Sequence, residues 1–401
     1  MRLTSLDLQT IVNRIASSRT AILLKAGYVG CFSLSAFGLL SSHLAAKQAT
    51  VSLLVETGQI SAAELDGEVP IYQQQFLESD PAAPSVHAST ITQLPDGRMM
   101  AAWFGGTREG AKDVSIYGAH WDNRTRSWGT PSVIVDAESA SRELGRYVKK
   151  VGNPVLHCDR AGRVWLYYVT VSLGGWSGSF ITLKYSDDSG GTWSDSKRLV
   201  SSPFLNISNL VRSIPLEMTD GTVLLPAYHE FLAKYGEILH LSPDGDLIAK
   251  YRMGNRVGAL QPSLASVDET TIWAFHRRIG DSYPRVLANR STDGGRTWTD
   301  TVPIELPNPN ASVAVVSRRQ GGLLMALNAS ETQRTDLSLA VSEDGNEWKV
   351  IKTFPAIADD LESSYPTLVK ADDGTYHLTY TWGREKICHI RFNDSWLERL
   401  R

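Results

Sequence analysis

Cysteine is scarce: Cys31, Cys158 and Cys388 are the three in 401 residues, too few for a disulfide framework and without metal-ligand spacing. One Cys158–Cys388 bridge stays open beside the preferred reading of free, buried thiols. Excess basic charge is missing too. The formal net charge is −3, with no Lys/Arg run and no interleaving of basic and aromatic residues, so no nucleic acid partner is expected. No group of His, Asp and Glu stands at ligand spacing, so neither a metal nor another cofactor is implied. Long helical periodicity is also lacking, which leaves an all-β chain. With 42% hydrophobic and 21% charged residues, that chain has the composition of a folded globular protein.

Long apolar runs are confined to one place. Arg2, Arg14, Arg19 and Lys25 precede residues 26–46, AGYVGCFSLSAFGLLSSHLAA, a charge-free stretch of 21. It is long enough to cross a bilayer, and its basic flank favours a cytoplasmic tail with the bulk of the chain outside. A cleaved signal peptide, ending at SHLAA before Lys47, is the other reading that exports the chain, and a buried helix is the remaining alternative. Either of the exporting readings sends the rest to the periplasm or the extracellular space, the first leaving it anchored to the membrane. The chain therefore divides into a basic tail at 1–25, an anchor or signal at 26–46, a stem at 47–80 that supplies a ring-closing strand, and a folded domain at 81–401.

What is abundant is repetition. SDDSGGTW at 186–193 recurs as STDGGRTW at 291–298 and, shortened, as SEDGNEW at 342–348. Serine and aspartate bond nearby backbone in turns, glycine takes positive φ, and tryptophan packs inward, so the boxes read as built turns rather than metal or phosphate loops. A turn followed by a β-rich run appears six times: PDGRMMAAWF from 95, DRAGRVWLYYV from 159, TDGTVLLPAY from 219, VDETTIWAFH from 267, RQGGLLMALN from 319 and DDGTYHLTYT from 372. WDNRTRSW at 121–128 and SPDG at 242–245 fill gaps where no full box stands. The spacing, roughly 50–60 residues, is that of a four-stranded blade. Six such units predict a single six-bladed β-propeller.

Boxes of Ser-x-Asp-x-Gly-x-Thr-Trp on such a propeller resemble the sialidase (neuraminidase) superfamily, over about residues 80–395. The set HAST, LPDG, WFGGTREG, VRSIPLE, LLPAYHE, QPSL and SYPTLV looks like a bacterial and plant-type branch of it. The resemblance implies three arginines on a substrate carboxylate, an aspartate acid/base, and a tyrosine nucleophile assisted by glutamate. A neutral tyrosine approaches an anomeric carbon bearing a carboxylate with less repulsion than a second carboxylate would.

Carried over residue by residue, FGGTREGAKD at 104–113 matches the stretch with Arg108 and the acid/base Asp113. IWAFHRR offers Arg277 as a triad arginine by strand alternation, with Arg278 as its neighbour, and NASETQRTDLSLAVSEDG offers Arg334. Guanidinium suits the task because it binds a carboxylate through two parallel hydrogen bonds. ESSYPTLV points to Tyr365, with Glu362 close in sequence. Two positions depart from the family. His87 stands where the first arginine is expected and would bind a carboxylate if protonated, or act as acid/base. Gln261 stands near the expected glutamate, able to position a hydroxyl but not to remove its proton. Arg212, His229 and Glu230 on the third blade either line the cleft or cap strands, and Lys150 with Asn153 on the second form a similar, lesser pair.

Three functions follow. The first is an exo-acting glycoside hydrolase taking an acidic sugar from glycans or exopolysaccharide, sialic or another nonulosonic acid first, a uronic acid next. The second is a polysaccharide lyase using His87 and Tyr365, with arginines acidifying the proton α to a uronate carboxylate. The third is a non-catalytic propeller that binds acidic glycan.

Overall fold

The computed structural model describes residues 68–400, apart from positions 123, 203–205, 232, 256–257, 281–282 and 357. The basic tail, the apolar segment at 26–46 and most of the stem lie outside the described residues. Within them, six antiparallel sheets follow one another along the chain. Their inner strands are Ser85–Gln93, Lys150–Cys158, Asn209–Val211, Ala259–Ser266, Ala314–Ser317 and Ser363–Lys370. Each blade then runs outward strand by strand in sequence order, except the last. There Tyr72–Phe76 pairs antiparallel with Lys386–Phe392 as the outermost strand, Tyr72 opposite Phe392. Closing the ring with the other end of the chain removes the free edge a linear stack of sheets would leave.

The core is divided accordingly. Six clusters of buried apolar residues occupy the interfaces between neighbouring blades. Val86, Trp103 and Trp121 of the first blade, for example, pack with Ile387 of the last. The second strands are buried along their length, as in VWLYYVTV at Val164–Val171, because each blade is covered on both faces. Outer strands alternate, as in LIAKYR at Leu247–Arg252, because only one face meets a neighbour. Of the three cysteines, Cys158 and Cys388 are described and both are free thiols, on different blades. Burial pushes their pKa values up, to about 12 and about 11.

The boxes form the turns between third and fourth strands. Ser186 Oγ accepts from the Gly190 amide at 2.8 Å, and Asp188 accepts from the Thr192 amide at 2.8 Å and its hydroxyl at 2.7 Å. Ser291, Asp293, Gly295 and Thr297 repeat the pattern at 2.6–2.9 Å. The Thr192 and Asn346 donors hold Asp188 and Asp344 down to about 2. Gly345 shows why glycine recurs: its φ is +85°, and a Cβ there would lie 2.6 Å from the indole of Trp273 on the preceding blade. Strand direction puts these turns, together with the Asp-Gly turns after the inner strands, at one end of the axis. The inner strands begin at the other end.

Two predictions follow from this scaffold. Asp293→Ala removes the acceptor of four bonds in a turn, so the unfolding free energy should drop by about 1–3 kcal/mol with ligand binding at the opposite end unchanged; a thermal melt paired with a binding titration checks it. Five buried histidines, 87, 157, 276, 377 and 389, have pKa values lowered by burial, to about 4 for His157, His276 and His377. The fold keeps them neutral, whereas the unfolded chain protonates them below pH 6.5. Their contribution is present above pH 6.5 and is lost as pH falls toward 4, at up to about 1.4 kcal/mol per pH unit for each. Denaturant midpoints at pH 7.5 and 5.5 should differ accordingly.

Candidate active site

One residue near the start of each inner strand, inside the strand in four blades and ahead of it in the third and fifth, has a left-handed backbone. They are Ala88, Asn153, Ser208, Gln261, Asn310 and Tyr365, with φ between 47° and 60°. For a residue with a Cβ this conformation costs about 1–2 kcal/mol. In four blades it coincides with a register shift, between His87 and Thr90, Gly152 and Val155, Leu260 and Ser263, and Ser364 and Thr367. Such bulges re-aim side chains, here toward the axis.

The re-aimed side chains meet. Tyr228, on the second strand of the third blade, receives hydrogen bonds at its hydroxyl from Asn153 Nδ2 and Gln261 Nε2, both at 3.4 Å. Gln261 Oε1 accepts from Arg277 Nη1 at 3.3 Å, and the same nitrogen donates to the Tyr365 hydroxyl at 2.9 Å. Arg277 Nε donates to Asn310 Oδ1 at 2.7 Å, while Arg334 Nη2 donates to the Asn310 carbonyl. Asn310 thus holds two guanidiniums. Arg334 comes from the loop 328–336, fastened to the last blade by Asn328 Nδ2 on the Ser363 carbonyl at 2.8 Å and by the Ser363 amide on the Arg334 carbonyl at 2.8 Å.

His87 lies against Tyr365, the rings edge to face with centroids 4.4 Å apart. It is 2% exposed, and both ring nitrogens lack a hydrogen-bond partner. Burial first, then the charges of Arg384, Arg212, Arg334 and Arg277, push its pKa well below the usual histidine value. The histidine expected to bind a carboxylate as a cation is therefore neutral, because taking up a proton there means burying charge among four arginines. Its Nδ1 stands 3.9 Å from Glu362, which pairs with Arg384 and stands 3.9 Å from Arg334.

Arg212 is also placed differently from its expected position at a substrate. It is 2% exposed and reaches from the third blade to the facing sixth and first. Its donors meet the carbonyls of Tyr365 at 2.6 Å, Pro366 at 3.1 Å and Ser89 at 3.3 Å, and the Thr367 hydroxyl at 3.1 Å. Burial lowers its pKa to about 10, so it stays charged. Its donors are directed at the bulges beneath the site rather than at the cleft.

Asp113 and Arg108 are exposed, on the loop between Met99–Gly106 and Ser115–Asp122, at the site end. Asp113 accepts from the Thr107 amide at 2.9 Å and hydroxyl at 3.1 Å, bonds that lower its pKa. Glu109 in the same loop accepts from Arg384 Nη1 at 2.6 Å. Glu230 ends the strand that carries Tyr228, two residues away on the same face, and after burial its charge raises the Tyr228 pKa. His229, on the opposite face, stacks on Tyr235 at 5.2 Å. Lys150 Nζ sits 4.0 Å over the Trp176 ring. Arg277 rather than Arg278 enters the ring of contacts, Arg278 lying 6.0 Å from the Tyr283 centroid.

Of the expected residues, His87, Gln261, Arg277, Arg334 and Tyr365 converge; Arg212 lies below them, and Asp113, Arg108 and Glu230 around the rim. Tyr228, Asn310 and Arg384 escape sequence reasoning. A usable signal exists for the bulges, since Asn153, Gln261 and Tyr365 each open an x-Pro-x-Leu tetrad. The axis also has an opening at the box end, a cavity of about 750 Å³ lined by Ser213, Leu264, Val315 and Leu368 with Arg160 and Glu217, away from these residues.

Residues 97–378 match the family model described as a BNR repeat-like domain, and the chain belongs to that family. Its fold is sialidase-like. The chain is similar to the anhydrosialidase of Macrobdella decora, 23% identical over 245 residues, covering 53% of this chain and 31% of that protein. The chain thus spans about a third of this curated relative. Among solved structures it resembles the Hadza microbial sialidase Hz136, with a TM-score of 0.66 at 17% identity, over 78% of this chain and 66% of that one. It also resembles the intramolecular trans-sialidase from Ruminococcus gnavus, with a TM-score of 0.63 at 16% identity, over 79% and 96%. A protein of unknown function from Dyadobacter fermentans matches at 0.63 and 13%, over 81% and 100%. At these identities the likeness is one of fold.

The geometry around Arg212 makes a prediction. Arg212→Met leaves the Tyr365 and Pro366 carbonyls without this donor, while the Ser89 carbonyl keeps the Thr367 hydroxyl at 2.7 Å, so stability should fall by about 2–5 kcal/mol. Arg212→Lys should recover only part of it, because one ammonium cannot span the four acceptors. Denaturant titration of both variants measures this.

Proposed function

We propose that the protein is an exo-acting glycoside hydrolase that removes an acidic sugar, a sialic or other nonulosonic acid first and a uronic acid next, from glycans or exopolysaccharide outside the cytoplasm. The observation that carries this reading is the Arg277 contact with the Tyr365 hydroxyl at 2.9 Å, with Arg334 held beside it through Asn310. A nucleophilic oxygen and a cationic pair at one mouth of the axis suit a sugar whose anomeric carbon bears a carboxylate. The Tyr365 oxygen attacks that carbon as the glycosidic bond breaks; Asp113, held as a carboxylate by Thr107 in the free protein, first takes a proton from solvent as substrate covers it and then gives that proton to the leaving oxygen. Water activated by Asp113 then releases the sugar. Negative charge developing on the tyrosine oxygen meets a guanidinium already in place.

Two residues have supporting roles. Gln261 cannot take the phenolic proton, which passes to solvent at the open mouth, but it fixes Arg277. His87, neutral and edge-on to Tyr365, sets the angle of that ring. The same glutamine favours a second reading, a glycan-binding propeller that turns nothing over. Elimination by His87 is the weakest, since the imidazole is 2% exposed.

Incubation of the protein with sialosides and with acidic polysaccharide should release free acidic sugar. Tyr365→Phe should reduce the rate by at least about 100-fold and Asp113→Asn by about 100- to 10,000-fold, least for substrates with activated aryl leaving groups. Tyr365→Phe turning over at the wild-type rate removes the nucleophile assignment. Binding without product supports the second reading, and an ultraviolet-absorbing unsaturated product supports the lyase.

A further inference from the structure

We propose that Arg384 determines specificity at this site: its guanidinium is the third cation that receives the carboxylate of the sugar. The inference rests on the acidic-sugar reading and goes beyond it, by naming a residue from the last hairpin of the ring.

Four observations carry it. The position that would supply a third cation holds His87, which is buried and neutral, so that charge has to come from elsewhere. Arg384 lies on the His87 side of the site: its carbonyl accepts from the Val86 amide at 2.8 Å, and it pairs with Glu362, which stands 3.9 Å from His87 Nδ1. Arg334 is linked to both of the others, sharing Asn310 with Arg277 and standing 3.9 Å from Glu362, which pairs with Arg384. The three guanidiniums thus form one group, reaching from the Tyr365 hydroxyl to the rim.

The second observation is how Arg384 is held. Its Nε pairs with Glu362 and its Nη1 with Glu109 at 2.6 Å, leaving Nη2 uncommitted among these contacts while the side chain stays 37% exposed. The two carboxylates take one nitrogen on each edge of the guanidinium and leave the Nη2 donors between them for a ligand oxygen. Three cations against these two acids keep the group net positive, as an anion site requires.

Third, its backbone is strained. Arg384 has a φ of 60°, next to Gly383 at 59°, in a turn where glycine or asparagine serves without that cost. Fourth, the turn is anchored on both sides: the Val86 amide donates to the Arg384 carbonyl at 2.8 Å, and the Gly383 amide to the Glu362 carbonyl at 2.8 Å. A strained arginine clamped between first and last blades beside Glu362 is a placement that an ordinary surface ion pair does not need.

The test measures binding of 2-deoxy-2,3-didehydro-N-acetylneuraminic acid and of its carboxamide by calorimetry, on wild-type protein, Arg384→Gln and Arg384→Lys, with exposed Arg290→Gln as control. The wild type and the control should prefer carboxylate to carboxamide. Arg384→Gln should shrink that preference roughly 10- to 100-fold and Arg384→Lys should shrink it less, since an ammonium keeps the charge but not the fork. An unchanged preference in both variants overturns the proposal. Equal weakening of both ligands, with a lower melting temperature, also overturns it by making Arg384 a structural tether. Should Arg384→Gln not fold, Arg384→Lys, which still offers a cation to both glutamates, decides alone. A wild type that binds neither these ligands nor a uronic acid defeats the acidic-sugar reading, and this inference with it; binding that ignores Arg384 defeats only the inference.

Discussion

A left-handed residue where each inner strand begins is the constraint on which the site depends. A regular strand would send alternate side chains into the two neighbouring blades and none along the axis. The bulges break that alternation in time to turn Gln261 and Tyr365 toward one another, at a backbone cost the sheets around them can bear. Arg212 supports this from below. Its charge is buried against the carbonyls of the sixth and first blades, so the bulges on both sides of the ring closure share one partner.

The two ends of the propeller thus do different things with the same residue types. At the box end, aspartate meets backbone amides and threonine hydroxyls, and its charge is spent locally. At the other end, arginine meets amide side chains, tyrosine and a few glutamates, and positive charge stays in excess. Site acids are committed to arginines, as Glu362 and Glu109 are to Arg384, or held on the rim, as Asp113 is by Thr107. A substrate carrying its own carboxylate suits that imbalance.

Much of this was legible in the chain. Asp-Gly turns at blade spacing predict six blades because a tight hairpin needs positive φ wherever it occurs. Alternation along IWAFHRR favours Arg277 over Arg278 without deciding between them; the Arg277 bond to the Tyr365 hydroxyl does. His87 was readable as a departure but not as a neutral one. Its protonation state depends on burial and on four arginines from distant parts of the sequence. Asn310 and Arg384 carried no signal, since a loop asparagine and a turn arginine are common and their meaning lies in what they touch.

The sequence by itself determined the repeat, the turn chemistry and the identity of most residues at the mouth of the axis, because local backbone preferences and strand periodicity act over a few neighbours. Only the tertiary structure decided which charges face one another. Closing the ring with Tyr72–Phe76 brings the first and last blades together. That contact places Glu109 and Arg384, 275 residues apart, in one ion pair, and sets His87 against Tyr365. Electrostatics at the site depends on distance in space, and no spacing along the chain encodes it.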